Sequence, residues 1–237
     1  TFTRTPGNTY ATSYPLRIAE TSSSFNSLTL KDVEVGYAEA ANVMLGGAGT
    51  FNNVHIEDCN FHHAGTWGLL GSGVIDGMTV EDSDFVYNGQ VDADHGIGFD
   101  LTGTSSTNVA VTGGSFSNNK AAGINLMRVS NSSFTGCTAN DNAGAGGAGF
   151  GIKLDEWGGK SHDIVFEECT ATGNALDGIT IQPEKDDAIE AILVESCILT
   201  GNGRNGVNLC YVYSGSNNPE MTDVVIRCCD LSGNTGK

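Results

Sequence analysis

The chain has 237 residues, of which 39% are apolar, and carries 11 basic against 28 acidic side chains for a net charge of -17. That balance argues against a nucleic-acid backbone or an anionic membrane surface as partner, because both repel an acidic protein. No apolar run is long enough to span a bilayer, and no nucleotide cofactor is expected.

After an irregular segment, residues 1–13, one short phrase recurs every 26 to 28 residues: an apolar residue, any residue, then a second apolar residue. In chain order the phrases are Leu16-Arg17-Ile18, Val43-Met44-Leu45, Leu69-Leu70-Gly71, Ile97-Gly98-Phe99, Ile124-Asn125-Leu126, Ile152-Lys153-Leu154, Ile179-Thr180-Ile181 and Val207-Asn208-Leu209. Glycine stands before the last six, at Gly68, Gly96, Gly123, Gly151, Gly178 and Gly206. Units this small become stable only by stacking on neighbours, so the pattern predicts a solenoid occupying residues 1–237 as one domain. Between the phrases run alternating stretches such as Val54-His55-Ile56, Met78-Thr79-Val80, Ile164-Val165-Phe166 and Val224-Val225-Ile226. Period two marks them as strands.

Three residues beyond each stretch comes a column of small side chains: Val33, Cys59, Ser83, Gly114, Cys137, Cys169, Cys197 and Cys229. Cysteines stacked there act as small buried apolar groups. At a rung spacing of about 4.8 Å they sit slightly beyond disulfide range, and reduced thiols are expected. Cys210 and Cys228 fall off the column and are the candidates for a bridge. Five residues further on, Asn88, Asn119, Asn142, Asn174, Asn202 and Asn234 predict an asparagine ladder inside one turn.

This combination resembles the right-handed parallel β-helix of the pectate-lyase-like superfamily, over roughly residues 14–237. The resemblance implies an all-β solenoid of about eight rungs. Its members include polysaccharide lyases, glycoside hydrolases, uronate epimerases, phage tailspikes and structural proteins, and fold does not choose among them. Alginate epimerases of this fold carry a Tyr-Gly-Phe-Asp-Pro-His-Glu motif where this chain has Phe150-Gly151-Ile152-Lys153-Leu154-Asp155-Glu156. Gly151 and Glu156 match, but Phe150, Lys153 and Asp155 replace the catalytic tyrosine, aspartate and histidine, so that machinery does not transfer.

Departures from the repeat point to the site. Two turns are lengthened, one through Gly89 to His95 and one through Ala143 to Phe150. Inserted loops of a solenoid often line its binding face. The middle residues of the phrases form one outward column, and alternation puts Asp100 and Asp155 together in a second column two residues on. Asp100, Asp155, Lys153 and His95 are therefore the candidate catalytic groups. Asn125, Trp157, Gln182 and Tyr211 are candidate substrate contacts, with Tyr213 a further aromatic. Asp92, Asp94, Asp100, Asp155 and Glu156 are candidate calcium ligands, hard oxygen donors of the kind that cation takes. The glycine-rich run Gly144 to Gly149 matches a dinucleotide fingerprint in letters but leads into a strand rather than a helix, which excludes a nucleotide role.

These residues predict an extracellular or surface protein that cleaves an acidic polysaccharide by calcium-assisted β-elimination. The rival is a non-catalytic surface, filament or phage-attachment protein; third comes an inverting glycosidase using Asp100 and Asp155, whose two-rung separation of about 9 to 10 Å is at the upper limit for such a pair. The pattern begins and ends within a rung, which leaves two alternatives: an excised piece of a longer solenoid, or end-to-end self-association through the open strand edges at Leu16 and Ile18 and at Val224, Ile226 and Leu231.

Overall fold

A computed structural model describes residues 13–20, 24–92, 95–103, 105–143, 150–156, 160–183, 188–211 and 219–236. Within them the phrases form one eight-stranded parallel sheet: β1 (Leu16–Glu20), β4 (Ala41–Gly47), β7 (Trp67–Gly71), β10 (Ile97–Leu101), β12 (Ala122–Leu126), β14 (Phe150–Glu156), β16 (Ile179–Pro183) and β18 (Val207–Leu209). The alternating stretches form a second: β2 (Leu28–Lys31), β5 (Thr50–Glu57), β8 (Val74–Glu81), β11 (Ser106–Thr112), β13 (Val129–Thr135), β15 (Lys160–Glu167), β17 (Ala188–Glu195) and β19 (Glu220–Arg227). A third sheet of β3 (Glu34–Gly36), β6 (Asn60–His62) and β9 (Asp84–Val86) closes the first three turns. Isolated parallel bridges from Ser115 through Thr138, Thr170 and Ile198 to Asp230 continue that side.

Every strand pairs with the equivalent strand one turn on, so like side chains stack in columns. Phe61, Phe85 and Phe116 are fully buried and stack with centroids 5.1 and 5.2 Å apart. Each buried phenylalanine contributes about 1.5 to 3 kcal/mol through its apolar area. The cysteine column is interior as expected: Cys137, Cys169 and Cys197 each direct a thiol at the carbonyl of a residue in the second sheet, Val111, Phe134 and Phe166. Gly71 leaves no hole, because Leu101 and Ile75 fill the space a side chain would need.

All seven cysteines are thiols. Cys210 and Cys228, the candidates for a bridge, are not joined: Cys210 follows β18 in the first sheet, whereas Cys228 follows β19 in the second. Cys228 also occupies a left-handed corner, φ 57°, shared with Asp32, Asp58, Asp82, Glu168 and Ser196. Turning the chain here in so few residues takes positive φ, a region L residues other than Asn, Asp and glycine rarely enter.

The asparagine ladder spans all six expected positions. Asn88 Nδ2 donates to Asn119 Oδ1, Asn142 to Asn174, Asn174 to Asn202 and Asn202 to Asn234, each at 3.0 Å. The Asn119 amide instead donates to the Phe85 carbonyl while its backbone N–H donates to Asn142. Asn42 adds a seventh member, donating to Asn88 at 3.5 Å. The ladder explains the glycine column, since a Cβ on Gly68, Gly98, Gly151, Gly178 or Gly206 would lie 2.8 to 3.0 Å from a ladder amide. In the fourth rung that glycine is Gly98, not Gly96, and the whole phrase moves two residues: Phe99, Asp100 and Leu101 take the places assigned to Ile97, Gly98 and Phe99.

Candidate functional site

The shift relocates Asp100. It pairs with Leu70 on one side and Asn125 on the other, and Asn125 pairs with Lys153. Asp100 thus belongs to the middle outward column, not to the second column with Asp155. Asp155 pairs with Gln182, and Glu156 with Pro183. Two rungs and two residues now separate the Asp100 and Asp155 backbones by about 12 Å, from strand spacing and rise. That exceeds the carboxylate separation of an inverting glycosidase, about 6.5 to 9.5 Å. Asp155 and Glu156 are placed by backbone register alone, and their side chains lie outside the described residues. So do Trp157, Tyr213, Asp94 and the run 144–149.

Three consecutive rungs therefore present Asp100, Asn125 and Lys153 side by side on the outer face of the first sheet. Asp100 is only 3% exposed, and Asn125 Nδ2 donates to its Oδ1 at 2.9 Å. Burial pushes the Asp100 carboxyl up to about 7; hydrogen bonding from Asn125 and Trp67, and the charges of His95 and Lys153, only partly offset it. The indole N–H of Trp67 is itself buried and short of a full hydrogen bond. Its ring lies against His95, 5.9 Å between centroids, and His95 Nδ1 contacts Asp92 Oδ2 at 2.9 Å. The first lengthened turn thus delivers Asp92 and His95 to the Trp67 side of Asp100. Lys153 is half-buried. Gln182 accepts from the Cys210 thiol at 3.4 Å, and Tyr211, just past β18, is 55% exposed.

Calcium demands several converging oxygens. Among the described residues no three His, Cys, Asp or Glu side chains are grouped to hold a metal ion. Asp92 is engaged with His95, and Asp100 spends one oxygen on Asn125. The described members of the expected ligand set do not form a calcium cage by themselves.

Further along the column, Thr180 and Asn208 meet a residue that periodicity did not single out. Asp177 is fully buried, yet its carboxylate accepts from Thr180 Oγ1 at 2.8 Å, Arg204 Nε at 2.8 Å and Arg204 Nη2, Asn205 N at 3.0 Å, Asn205 Nδ2 at 2.9 Å and Asn208 Nδ2 at 3.1 Å. Desolvation would raise its pKa, but Arg204, Thr180 and Asn205 outweigh it and hold the carboxyl below the usual range. A sequence signal existed: the residue before the phrase glycine is Trp67, Ile97, Ala122 or Phe150 on the four preceding rungs and Asn205 on the next, and here an aspartate takes that place.

A second titratable cluster lies apart on the third sheet. His62 bridges Glu34, at 3.2 Å through Nε2, and His63, at 2.9 Å between Nδ1 atoms, with His63 stacked between Tyr37 and Tyr87. Burial and then the His62 charge lower the His63 pKa. A shallow depression of about 190 Å³ lined by His55, Met78, Thr79 and Asn108 lies on the second sheet, away from the column.

Among the described residues no helix is long and apolar enough to cross a membrane. No curated protein sequence matches the chain. Among solved structures, it is similar to the A-module of the Azotobacter vinelandii mannuronan C-5 epimerase AlgE4, with 13% identity over 87% of this chain and 61% of that one, TM-score 0.46. It is also similar to the pectate lyase Pel9A, with 16% identity over 92% of this chain and 68% of that one, TM-score 0.46. The chain spans about three fifths of the epimerase module, and at such identities the likeness concerns fold alone. The model of the right-handed beta helix region matches residues 18–226, the stretch that holds all but the first strand phrase, and the chain belongs to that family.

Proposed function

We propose that this chain is a carbohydrate-active β-helix of the extracellular space or a cell or virion surface that cleaves an acidic polysaccharide by β-elimination. The observation that carries the reading is the Asp100–Asn125–Lys153 row, with a carboxyl pushed up to about 7 by burial and an amine two rungs along the same column. Elimination needs a base to take the proton next to the uronate carboxyl, while the electron pair forms the new C=C bond and expels the glycosidic oxygen, which takes a proton from water; it also needs something to offset the enolate-like charge that builds on the carboxyl. Lys153 is the proposed base. Asp100 in its protonated form donates a hydrogen bond to the substrate carboxyl, with Asn125 holding its other oxygen. Calcium remains part of the proposal only through Asp155, Glu156 and Asp94, and no step here depends on it.

The test is direct. Purified protein incubated with acidic polysaccharides should generate the ultraviolet absorbance of an unsaturated uronate, and Lys153→Ala should reduce the rate at least about a hundredfold, the usual worth of a general base. Cleavage that survives Lys153→Ala would reject the mechanism. Addition and chelation of calcium tell whether the ion takes part.

The near-complete burial of Asp100 and Asn125, 3% and 8% exposed, favours one second reading, a non-catalytic surface or structural protein in which the row is part of the packing. End-to-end association also stays a proposal. Light scattering against concentration tests it.

A further inference from the structure

We infer that His62 and His63, at the edge of the third sheet, form a site for a divalent transition metal of tetragonal geometry such as Cu2+, with Glu34 supporting it from behind. The cluster lies away from the Asp100–Asn125–Lys153 row, and the inference is independent of the elimination chemistry.

The site is marked by a departure from the repeat. Backbone pairing puts Tyr37, His63 and Tyr87 at one corner on successive turns, and the corner continues through Asn118 and Asp141 into a run of glycines that ends at Gly233, all with positive φ. Asparagine, aspartate and glycine tolerate that conformation, whereas tyrosine rarely adopts it. The first three turns thus hold three aromatic rings where the backbone favours small or amide side chains. Those rings are stacked: His63 lies between Tyr37 and Tyr87, with centroids 5.0 and 5.2 Å apart and planes inclined by 19° and 17°. The stack fixes the plane of the His63 imidazole.

Space is also reserved for the neighbouring ring. Gly36, His62 and Val86 pair across β3, β6 and β9, and a side chain at Gly36 would collide with the His62 imidazole. The two histidine rings meet at 86°, and their Nδ1 atoms are 2.9 Å apart. On the far side of His62, Nε2 donates to Glu34 Oε1 at 3.2 Å. A carboxylate there fixes the tautomer that leaves the Nδ1 lone pair for an ion, the usual support behind a metal-binding histidine.

The spacing selects the ion. With metal–nitrogen bonds of about 2.05 Å, nitrogens 2.9 Å apart subtend about 90° at the metal, whereas a tetrahedral shell needs them about 3.3 Å apart. Right-angled imidazoles suit a square-planar or tetragonal ion, the preference of Cu2+ and Ni2+. The ion takes the place of the proton shared between the two Nδ1 atoms, and that proton moves to His63 Nε2 by way of water. Two nitrogens are fewer than a cage of three side chains, so the remaining positions fall to water or an incoming ligand. Both histidines are half-buried and Glu34 is partly exposed, which keeps the site within reach of solvent.

The experiment is a Cu2+ titration against a competing chelator, with electron paramagnetic resonance recorded at one equivalent. Wild-type protein should bind one Cu2+ and show coupling to two imidazole nitrogens. His63→Asn and His62→Val copy the residues that Asn118 and Val86 supply at the same two places on later turns, so the fold should be kept, as circular dichroism checks. Glu34→Ala should weaken binding about tenfold and retain the two-nitrogen signature. His62→Val and His63→Asn should weaken it further and lose that signature, while His162→Asn changes neither. A two-nitrogen spectrum that survives either His62→Val or His63→Asn overturns the inference, as does a wild-type spectrum without it, which decides the matter even if a variant unfolds. Glu34→Ala binding as tightly as wild type overturns the role given to Glu34.

Discussion

Asp100 and Asp177 are both buried aspartates of the first sheet or its entry turn, yet their carboxyls shift in opposite directions. Burial raises the pKa of each. At Asp177, Arg204 and a ring of amide and hydroxyl donors more than cancel that effect; at Asp100 one amide and the edge of an indole do not. Depth therefore does not decide which acid is available for chemistry. The number of donors aimed at it does, and the under-supplied acid is the one in the outward column with Lys153, two rungs away.

The largest expected consequence concerns Asp100. Its folded pKa of about 7 lies above the unfolded value, so the contribution of this group to stability is fully present below about pH 4 and is lost as pH rises through 7. A shift of that size corresponds to about 4 kcal/mol. Asp100→Asn should remove this slope and leave the protein more stable than wild type at pH 8, measured by urea denaturation across pH. Identical slopes for the two proteins would mean that Asp100 is ionised at no such cost, and the contrast with Asp177 would disappear.

Next in size is Arg204→Ala, which strips two charge-assisted bonds from a fully buried carboxylate. Leaving that charge under-paired costs about 3 kcal/mol, the lower end of the range for breaking a buried pair, because four other donors remain. Denaturation at pH 7 reads it directly. The sign with pH is opposite to that of Asp100: the folded pKa of Asp177 is depressed, so its stabilisation is present above the unfolded value and is lost as pH falls through the folded one. Arg204→Ala should accordingly weaken the protein's acid sensitivity while lowering stability near neutrality.

The smallest effect sharpens the comparison by removing one donor. Thr180→Val keeps the shape and takes away the hydroxyl that donates to Asp177 at 2.8 Å. A loss of about 1.5 kcal/mol is expected for one bond to a charged acceptor. A change below about 0.5 kcal/mol would show that the Asp177 carboxylate is held by Arg204 alone.

The contrast was only partly legible in the sequence. Phrases such as Ile152-Lys153-Leu154 fix which residues face in and which face out, because strand alternation is local. Lys153 and Asn125 were read correctly for that reason. Asp100 was read two residues out of place, since an inserted loop precedes it and both Gly96 and Gly98 satisfy a rule of glycine before an apolar residue. What selects Gly98 is a clash: a side chain there would meet the Phe85 and Gly123 carbonyls and the Asn119 amide. Asp177 escaped notice because its partners stand 27 to 31 residues away at Arg204, Asn205 and Asn208, one turn on.

By itself, then, the sequence determined the rung length, the three interior stacks of apolar, cysteine and asparagine side chains, and the outward placement of Asn125 and Lys153. These follow from a period of two within strands and a nearly constant repeat between them, which physics translates into columns without further information. The tertiary structure alone decided the register of the fourth rung, the pairing of Asp100 with Asn125, the absence of a Cys210–Cys228 bridge and the saturation of Asp177. Each of those depends on contacts between successive turns, where a shift of two residues keeps every side chain on its face but changes its neighbour.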